Sequence, residues 1–193
     1  MKIVRFFCKI ALGAFGFKID FQVPAESERC VMVFAPHTSM WDFVVGKLVL
    51  TVLKVKPKFM IRKESFWFPL GLLLKILGGV PVDRKHPAGL PTAMANEIKK
   101  RKQIALIIAP EGTRKYTTHW KKGFYVIAQY AQVPVCMCYI DWQKKTSGIF
   151  SCAVVPHPDD YEKDLAFIQN HYNGMKGKHS GQFNLEFVQN KVL

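Results

Sequence analysis

The segment that most constrains the fold is residues 103–109, QIALIIA, where six apolar residues follow Gln103 without a break. A strand with one wet face alternates apolar and polar positions, and this one does not. A strand apolar at every position is covered on both faces, as in a parallel sheet held between helices. The rest of the chain has the matching pattern. Residues 30–35 (CVMVFA) are a second buried run ahead of Pro36, residues 58–61 and 80–82 are short extended pieces, and 133–140 and 150–155 are further strands. Between them lie helical stretches at 42–54, 66–77 (closed by Gly78-Gly79), 87–102 (ending in Lys99, Lys100, Arg101 and Lys102), 123–132 and 161–170. Strands alternating with helices predict an α/β fold with a mostly parallel central sheet flanked by helices. The tail from Gly174 reads as loose.

A chain of 193 residues is long enough to bury one core, and 49% hydrophobic with 22% charged residues excludes a disordered polymer. Lys and Arg number 28 against 14 Asp and Glu, a net charge of +14 that calls for an anionic partner. The five cysteines are Cys8, Cys30, Cys136, Cys138 and Cys152. They are odd in number and contain no C-x-x-C pair, so they read as buried free thiols in a reducing compartment. The longest uncharged run, 123–140, is interrupted by Gln129, Gln132 and Pro134, so no typical membrane span is expected.

The first 17 residues stand apart. Lys2, Arg5 and Lys9 share one helical face, and Ile3, Val4, Phe6, Phe7, Ile10 and Ala11 cover the rest. Such a helix either lies in a membrane interface with its cations toward anionic headgroups, or docks on the core. Its basic start is like a signal peptide, but Lys9 interrupts the apolar stretch and no A-x-A site follows. The expected organisation is an amphipathic membrane-interface helix over 1–17 and a single α/β domain over 18–193.

Three constellations can carry chemistry. His37 follows the strand at 30–35, and Asp42 stands five residues on at a helix start. A turn between them would let the carboxylate hold one imidazole nitrogen while the other takes a proton from a substrate hydroxyl. The plainer reading is a helix-capping Asp and a loop His. Residues 110–114, PEGTR, follow the cleanest strand: Gly112 permits a tight turn, Thr113 and Arg114 offer donors to a phosphate, and Glu111 would accept from a hydroxyl or hold an arginine. The plainer reading here is a charged surface loop. Residues 78–84 deliver Asp83 and Arg84 after two glycines, with Arg62 and Lys63 upstream. An exposed turn with a weak salt bridge explains these equally well.

The order of these motifs is more specific than any one of them. H-x4-D, R-K-E-x-F-x-x-P-x-G, G-x-P-V-D-R, P-E-G-T-R and V-P-V run from His37 to Val135. This order resembles the 1-acylglycerol-3-phosphate acyltransferase family. The resemblance implies that His37 is the general base on an acceptor hydroxyl and Asp42 its orienting partner. The hydroxyl oxygen attacks an acyl thioester, a coenzyme A or acyl-carrier-protein thiol leaves, and Ser39 is not a nucleophile. It implies that Arg84 and Arg114 hold the acceptor's phosphate, that Glu111, Gly112 and Thr113 shape that site, and that Arg62 or Lys63 fills the family's basic position. Ala109 departs from the aromatic residue often found there. A typical membrane-anchoring helical pair is missing or reduced to the first 17 residues, leaving lipid access to that helix and to Phe66, Trp67 and Phe68, which fit a core equally well.

The expected function is therefore transfer of a fatty acyl group to a lysophospholipid, first of all 1-acylglycerol 3-phosphate, giving phosphatidic acid. A different lysophospholipid or a lyso-aminolipid would use the same chemistry. The rival of another class is a non-catalytic basic protein that binds membrane or nucleic acid. The expected partners are an anionic membrane surface at its cytoplasmic face, the lysolipid, and acyl-CoA or an acidic acyl carrier protein. No cofactor beyond the donor is expected. His86, His119, His157, His171 and His179 lack metal-like spacing, and no nucleic-acid motif accompanies the basic loop 115–122.

Overall fold

The computed structural model describes residues 2–83 and 89–185. Helix α1 (Lys2–Ala14) is followed by β1 (Lys18–Ile19), β2 (Arg29–Ala35), α2 (Met40–Val52), β3 (Pro57–Arg62), α3 (Leu70–Ile76) and β4 (Gly79–Val82). Then come α4 (Leu90–Lys99), β5 (Ile104–Ile108), α5 (Gly123–Ala131), β6 (Val135–Asp141), β7 (Thr146–Val154) and α6 (Tyr161–Asn170). The strands form one sheet in the order β1-β7-β6-β2-β5-β3-β4. The block β6-β2-β5-β3-β4 is parallel throughout, and β7 runs antiparallel to β6.

The uninterrupted apolar strand is explained by two separate cores. From β5, Leu106 and Ile108 join one cluster with Ile98 of α4 and Phe124 of α5, while Ala105 and Ile107 join the other with Val45 and Val49 of α2 and Leu12 of α1. The connections β2–α2–β3–α3–β4 advance across the sheet, whereas β4–α4–β5–α5–β6 returns. Right-handed crossovers then place α2 and α3 on one face and α4 and α5 on the other. The chain therefore leaves β2 and β5, which are neighbours, toward opposite faces. Their carboxyl ends open a crevice, which is where α/β sheets place ligand sites.

Helix α1 docks on α2, with Leu12 buried and Arg5 Nε donating to Val52 O at 3.1 Å. Its other side leaves Ile3, Val4, Phe6, Phe7 and Ile10 exposed. No helix among the described residues is long and apolar enough to cross a membrane. All five cysteines are free, and three of them are buried. Burial pushes the Cys138 thiol up, away from the reactive thiolate.

Several expected boundaries move. The helix expected over 66–77 shrinks to α3, because Pro69 disfavours helical backbone at Phe68; the chain also packs closely there, since a Cβ on Gly71 would sit 2.5 Å from Phe66 O. Trp67 and Phe68 are exposed there, Phe68 by 85%, and only Phe66 is half-buried. The helix expected over 87–102 is described from Leu90 and ends at Lys99, so Lys100, Arg101 and Lys102 follow it rather than belong to it. Strand β7 begins four residues earlier than expected, after a tight turn in which Lys145 takes a positive φ without glycine's usual signature. The short β1, parallel to β7, gave no sequence signal.

The largest correction is the tail. Met175, Phe183 and Leu185 pack on the core, and buried Tyr172, just past α6, places its hydroxyl 3.2 Å from Val33 O and 3.1 Å from Cys138 O. Burial holds that phenol well above its usual range, so it remains a neutral donor to two central strands. Tyr172→Phe leaves those carbonyls without it and is expected to cost about 1–2 kcal/mol. Urea unfolding should show a lower midpoint at unchanged slope, and an unchanged midpoint would mean that the hydroxyl contributes nothing to closing the sheet.

Candidate active site

The first loop of the site is built around one carboxylate. Ser39 is the N-cap of α2 and Asp42 its third residue, in a reciprocal capping box. Asp42 Oδ2 accepts from the backbone N–H of Thr38 and of Ser39, both at 2.7 Å. Its Oδ1 accepts from Trp142 Nε1 at 2.7 Å. The side chain is fully buried, so all three donors act in a medium of low polarity. The capping role is therefore real, and it uses the same geometry that a chemical role would need. The turn that caps the helix also brings His37 over the carboxylate.

His37 Nδ1 stands 3.4 Å from Asp42 Oδ2, and the ring is 24% exposed. That contact is not a formed hydrogen bond, because Oδ2 is already occupied by two backbone donors, and Nδ1 is buried without another partner. Loose contacts of this kind in unliganded sites tighten when substrate arrives. The edge of the Phe34 ring, 6.3 Å away between centroids, walls the imidazole on one side.

The second loop meets the first beneath the histidine. Glu111, only 2% exposed, accepts from the His37 backbone N–H at 3.0 Å through Oε1. Its carboxyl thus turns inward and fixes the backbone of the catalytic candidate, rather than facing out toward a phosphate. Burial pushes Glu111 up to about 8, against the lowering effect of the His37 bond, and the nearby Asp42 charge raises it further. With a value of about 8 the acid is mainly protonated near neutral pH, and its Oε2 is buried without a hydrogen-bond partner. Gly112 turns the loop at φ +66°, a conformation that strains any residue with a Cβ. Thr113 Oγ1 accepts from Lys115 N at 3.1 Å, and Arg114 is exposed.

These two loops and a third segment enclose a cleft of about 610 Å³, whose walls include Ser39 and Trp41, Thr113 and Arg114, and Lys178 and His179. The contacts of His37 with Asp42 and Glu111 bring these three together with Gly112, Thr113 and Arg114, and of the six Thr113 and Arg114 line the cleft. Arg62 and Lys63 sit at the end of β3 on the same sheet edge, two strand spacings, about 10 Å, from the end of β2. Both are exposed, and Lys63 Nζ bonds Asp83 Oδ2 at 2.5 Å, which raises the ammonium's pKa. Arg84, the other phosphate candidate, lies outside the described residues, as does His86. No group of three or more His, Cys, Asp or Glu among the described residues is placed to hold a metal ion.

Sequence reasoning missed Trp142 and the contributing tail residues. The sequence shows only that Trp142 follows a strand; it joins the site because the sheet sets the end of β6 beside that of β2. The tail carried no such signal: its glycines, lysines and polar residues have the composition of a loose end.

The protonation of Glu111 has a measurable consequence. Between about pH 5 and 8 the unfolded chain has released this proton while the fold retains it, so stability falls as pH rises through that window. Glu111→Gln keeps an acceptor for His37 N–H and carries no ionisation. Its unfolding free energy minus that of the wild type should therefore rise from pH 5 to 8, by an amount on the order of 3 kcal/mol. Parallel pH–stability curves would show that Glu111 titrates as an ordinary carboxylate.

The solved structure of the 1-acyl-sn-glycerophosphate (LPA) acyltransferase PlsC from Thermotoga maritima shares the fold, with a TM-score of 0.62 over 92% of this chain and 80% of that one, at 17% identity. A 1-acyl-sn-glycerol-3-phosphate acyltransferase of Streptococcus pneumoniae (strain ATCC BAA-255 / R6) is 30% identical over 118 residues, covering 59% of this chain and 42% of the relative. One of the same name from Cocos nucifera is 27% identical over 153 residues, covering 70% of this chain and 48% of the relative. The match thus spans about half the length of each curated relative. The acyltransferase family model matches residues 18–141, a stretch that holds both loops of the site and well over half of the sequence, and the chain belongs to that family.

Proposed function

We propose that this protein transfers a fatty acyl group from a thioester to the free hydroxyl of a lysophospholipid, with 1-acylglycerol 3-phosphate the best acceptor and phosphatidic acid the product. The observation that carries the reading is the His37–Asp42 pair. It stands at the sheet crevice beside a cleft that contains Arg114. His37 takes the acceptor's hydroxyl proton on Nε2 as the oxygen attacks the thioester carbonyl. The tetrahedral adduct collapses with loss of the C–S bond, and the imidazolium returns the proton to the departing thiolate. Asp42, pinned by three donors, holds the Nδ1 side and stabilises the imidazolium. Glu111 keeps the His37 backbone fixed, and as a neutral acid it leaves the dyad with one carboxylate charge rather than two.

Arg114, with Arg84 from the neighbouring motif, recognises the acceptor phosphate. The donor is an acyl-CoA or an acyl carrier protein, and no further cofactor enters this reading. The protein works peripherally at the cytoplasmic face of a membrane. Helix α1 serves as its interfacial helix: the exposed Ile3, Val4, Phe6, Phe7 and Ile10, with Trp67 and Phe68, offer apolar contact, and the net charge of +14 suits anionic lipid. The names of the curated relatives support the choice of acceptor.

The test pairs acyl-CoA and acyl carrier protein donors with a panel of lysolipids and follows thiol release and acylated product. Turnover on lysophosphatidic acid is expected, and His37→Ala should lower kcat by about a hundred- to ten-thousand-fold with its thermal midpoint within a few degrees of wild type. Turnover confined to phosphate-free acceptors would overturn the arginine roles. No turnover with any pair would overturn the catalytic reading in favour of a basic binding protein.

A further inference from the structure

The segment after α6 returns across the mouth of the site. Trp142 N–H donates to Lys176 O at 2.9 Å, and His179 N–H donates to Thr38 Oγ1 at 3.3 Å. Gly177 lies so close to the first loop that a Cβ would come within 2.5 Å of Thr38 Cγ2. The Gln182 amide, with its nitrogen turned toward the two loops, donates to Arg114 O at 2.6 Å and to Thr38 O at 3.2 Å. Residues 176–182 are thus tied to the His37 loop, the Arg114 loop and the Trp142 turn. The family match ends at residue 141, so Trp142 and this segment lie outside it.

Lys178 is the residue this arrangement presents. Its Nζ sits 4.8 Å from the centroid of Trp41 and 5.0 Å from that of Trp142. Trp142 is the residue whose indole N–H holds Asp42. A lysine paired to a carboxylate is neutralised, whereas one held between aromatic faces keeps its net charge and its N–H donors for an anion. Arg114 and Lys115 face the same cleft, and none of the three cations has a carboxylate within salt-bridge distance among the described residues. Three positive charges in one concavity repel one another, and a bound dianion relieves that repulsion.

We infer that Lys178, clamped between Trp41 and Trp142, is a specificity-determining residue that acts with Arg114 and Lys115 to bind a phosphate group of the substrate, making residues 176–182 part of the active site. The inference rests on the proposed use of phosphorylated substrates. A phosphate monoester is the shared chemistry, and its source is either the acceptor's glycerol phosphate or the 3′-phosphate of a coenzyme A donor.

Trp41 and Trp142 give a readout that needs no turnover. The full chain and Lys178→Ala, Lys178→Arg and Lys99→Ala variants would be titrated with sn-glycerol 3-phosphate, coenzyme A and glycerol, followed by calorimetry and tryptophan fluorescence. Wild type should bind one phosphate compound and not glycerol. Lys178→Ala should weaken that binding about tenfold, the loss of one charge-assisted contact. Lys178→Arg should restore most of it, and Lys99→Ala, remote from the cleft, should match wild type. Which compound responds identifies the source. In turnover, KM for that substrate alone should rise about tenfold, with kcat changing less than twofold. Binding that is equal in wild type and Lys178→Ala, a wild type that binds neither compound, or a fall in kcat at constant KM would each overturn the inference. Binding without turnover would keep it and sink the acyl-transfer reading. Turnover with unchanged binding in Lys178→Ala would do the reverse.

Discussion

The buried carboxylate of Asp42 is the constraint around which the site is assembled. A fully desolvated anion is tolerated only when its oxygens are bonded, and here three donors from two distant parts of the chain provide the bonds. Two of them set the turn between β2 and α2 and so place His37. The third, from Trp142, ties the turn after β6 to the same point. Helix capping, loop shape and the imidazole's position are therefore one interaction seen from three sides. Changes at any of these positions are coupled and should not be expected to add independently.

The sheet supplies the other half of the design. Because α2 and α5 depart to opposite faces from neighbouring strands, the loops after β2 and β5 diverge and leave a crevice between them. Glu111 and His37 close its floor through a bond between residues 74 apart in sequence. Burial makes Glu111 a neutral acid, which avoids setting a second anion beside Asp42. Above this floor the charge reverses in sign, with Arg114, Lys115 and Lys178 around the cleft. A negative and partly neutralised floor with a positive rim is what the proposed reaction would use, with an imidazolium forming at His37 and a phosphate bound by the cations.

The apolar surface is distributed to match. The exposed side chains of α1 come from the part of that helix not used to dock on α2. Docking on the core therefore accounts for one side of the helix, and the other side leaves exposed the apolar residues that the interfacial reading would use. Trp67 and Phe68, equally ambiguous in sequence, are resolved toward exposure because the chain before α3 is packed through its backbone and not through those rings.

The sequence by itself determined the α/β architecture, the parallel block and the two loops that carry His37, Asp42, Glu111 and Arg114. Each of these is written in near-neighbour patterns: an unbroken apolar strand, a cap three residues from its partner, a glycine at a positive φ. Tertiary structure alone decided that Trp142 would hold Asp42 across 100 residues, that Tyr172 would bond Val33 across 139, and that a tail of loose composition would lie across the cleft. The physical reason is the range of the interactions. Periodicity and capping are settled by atoms a turn or a strand pleat away, whereas these contacts exist only once the sheet has set its strand order. Until then no local feature of Trp142, Tyr172 or Lys178 distinguishes a member of the site from a residue that merely packs.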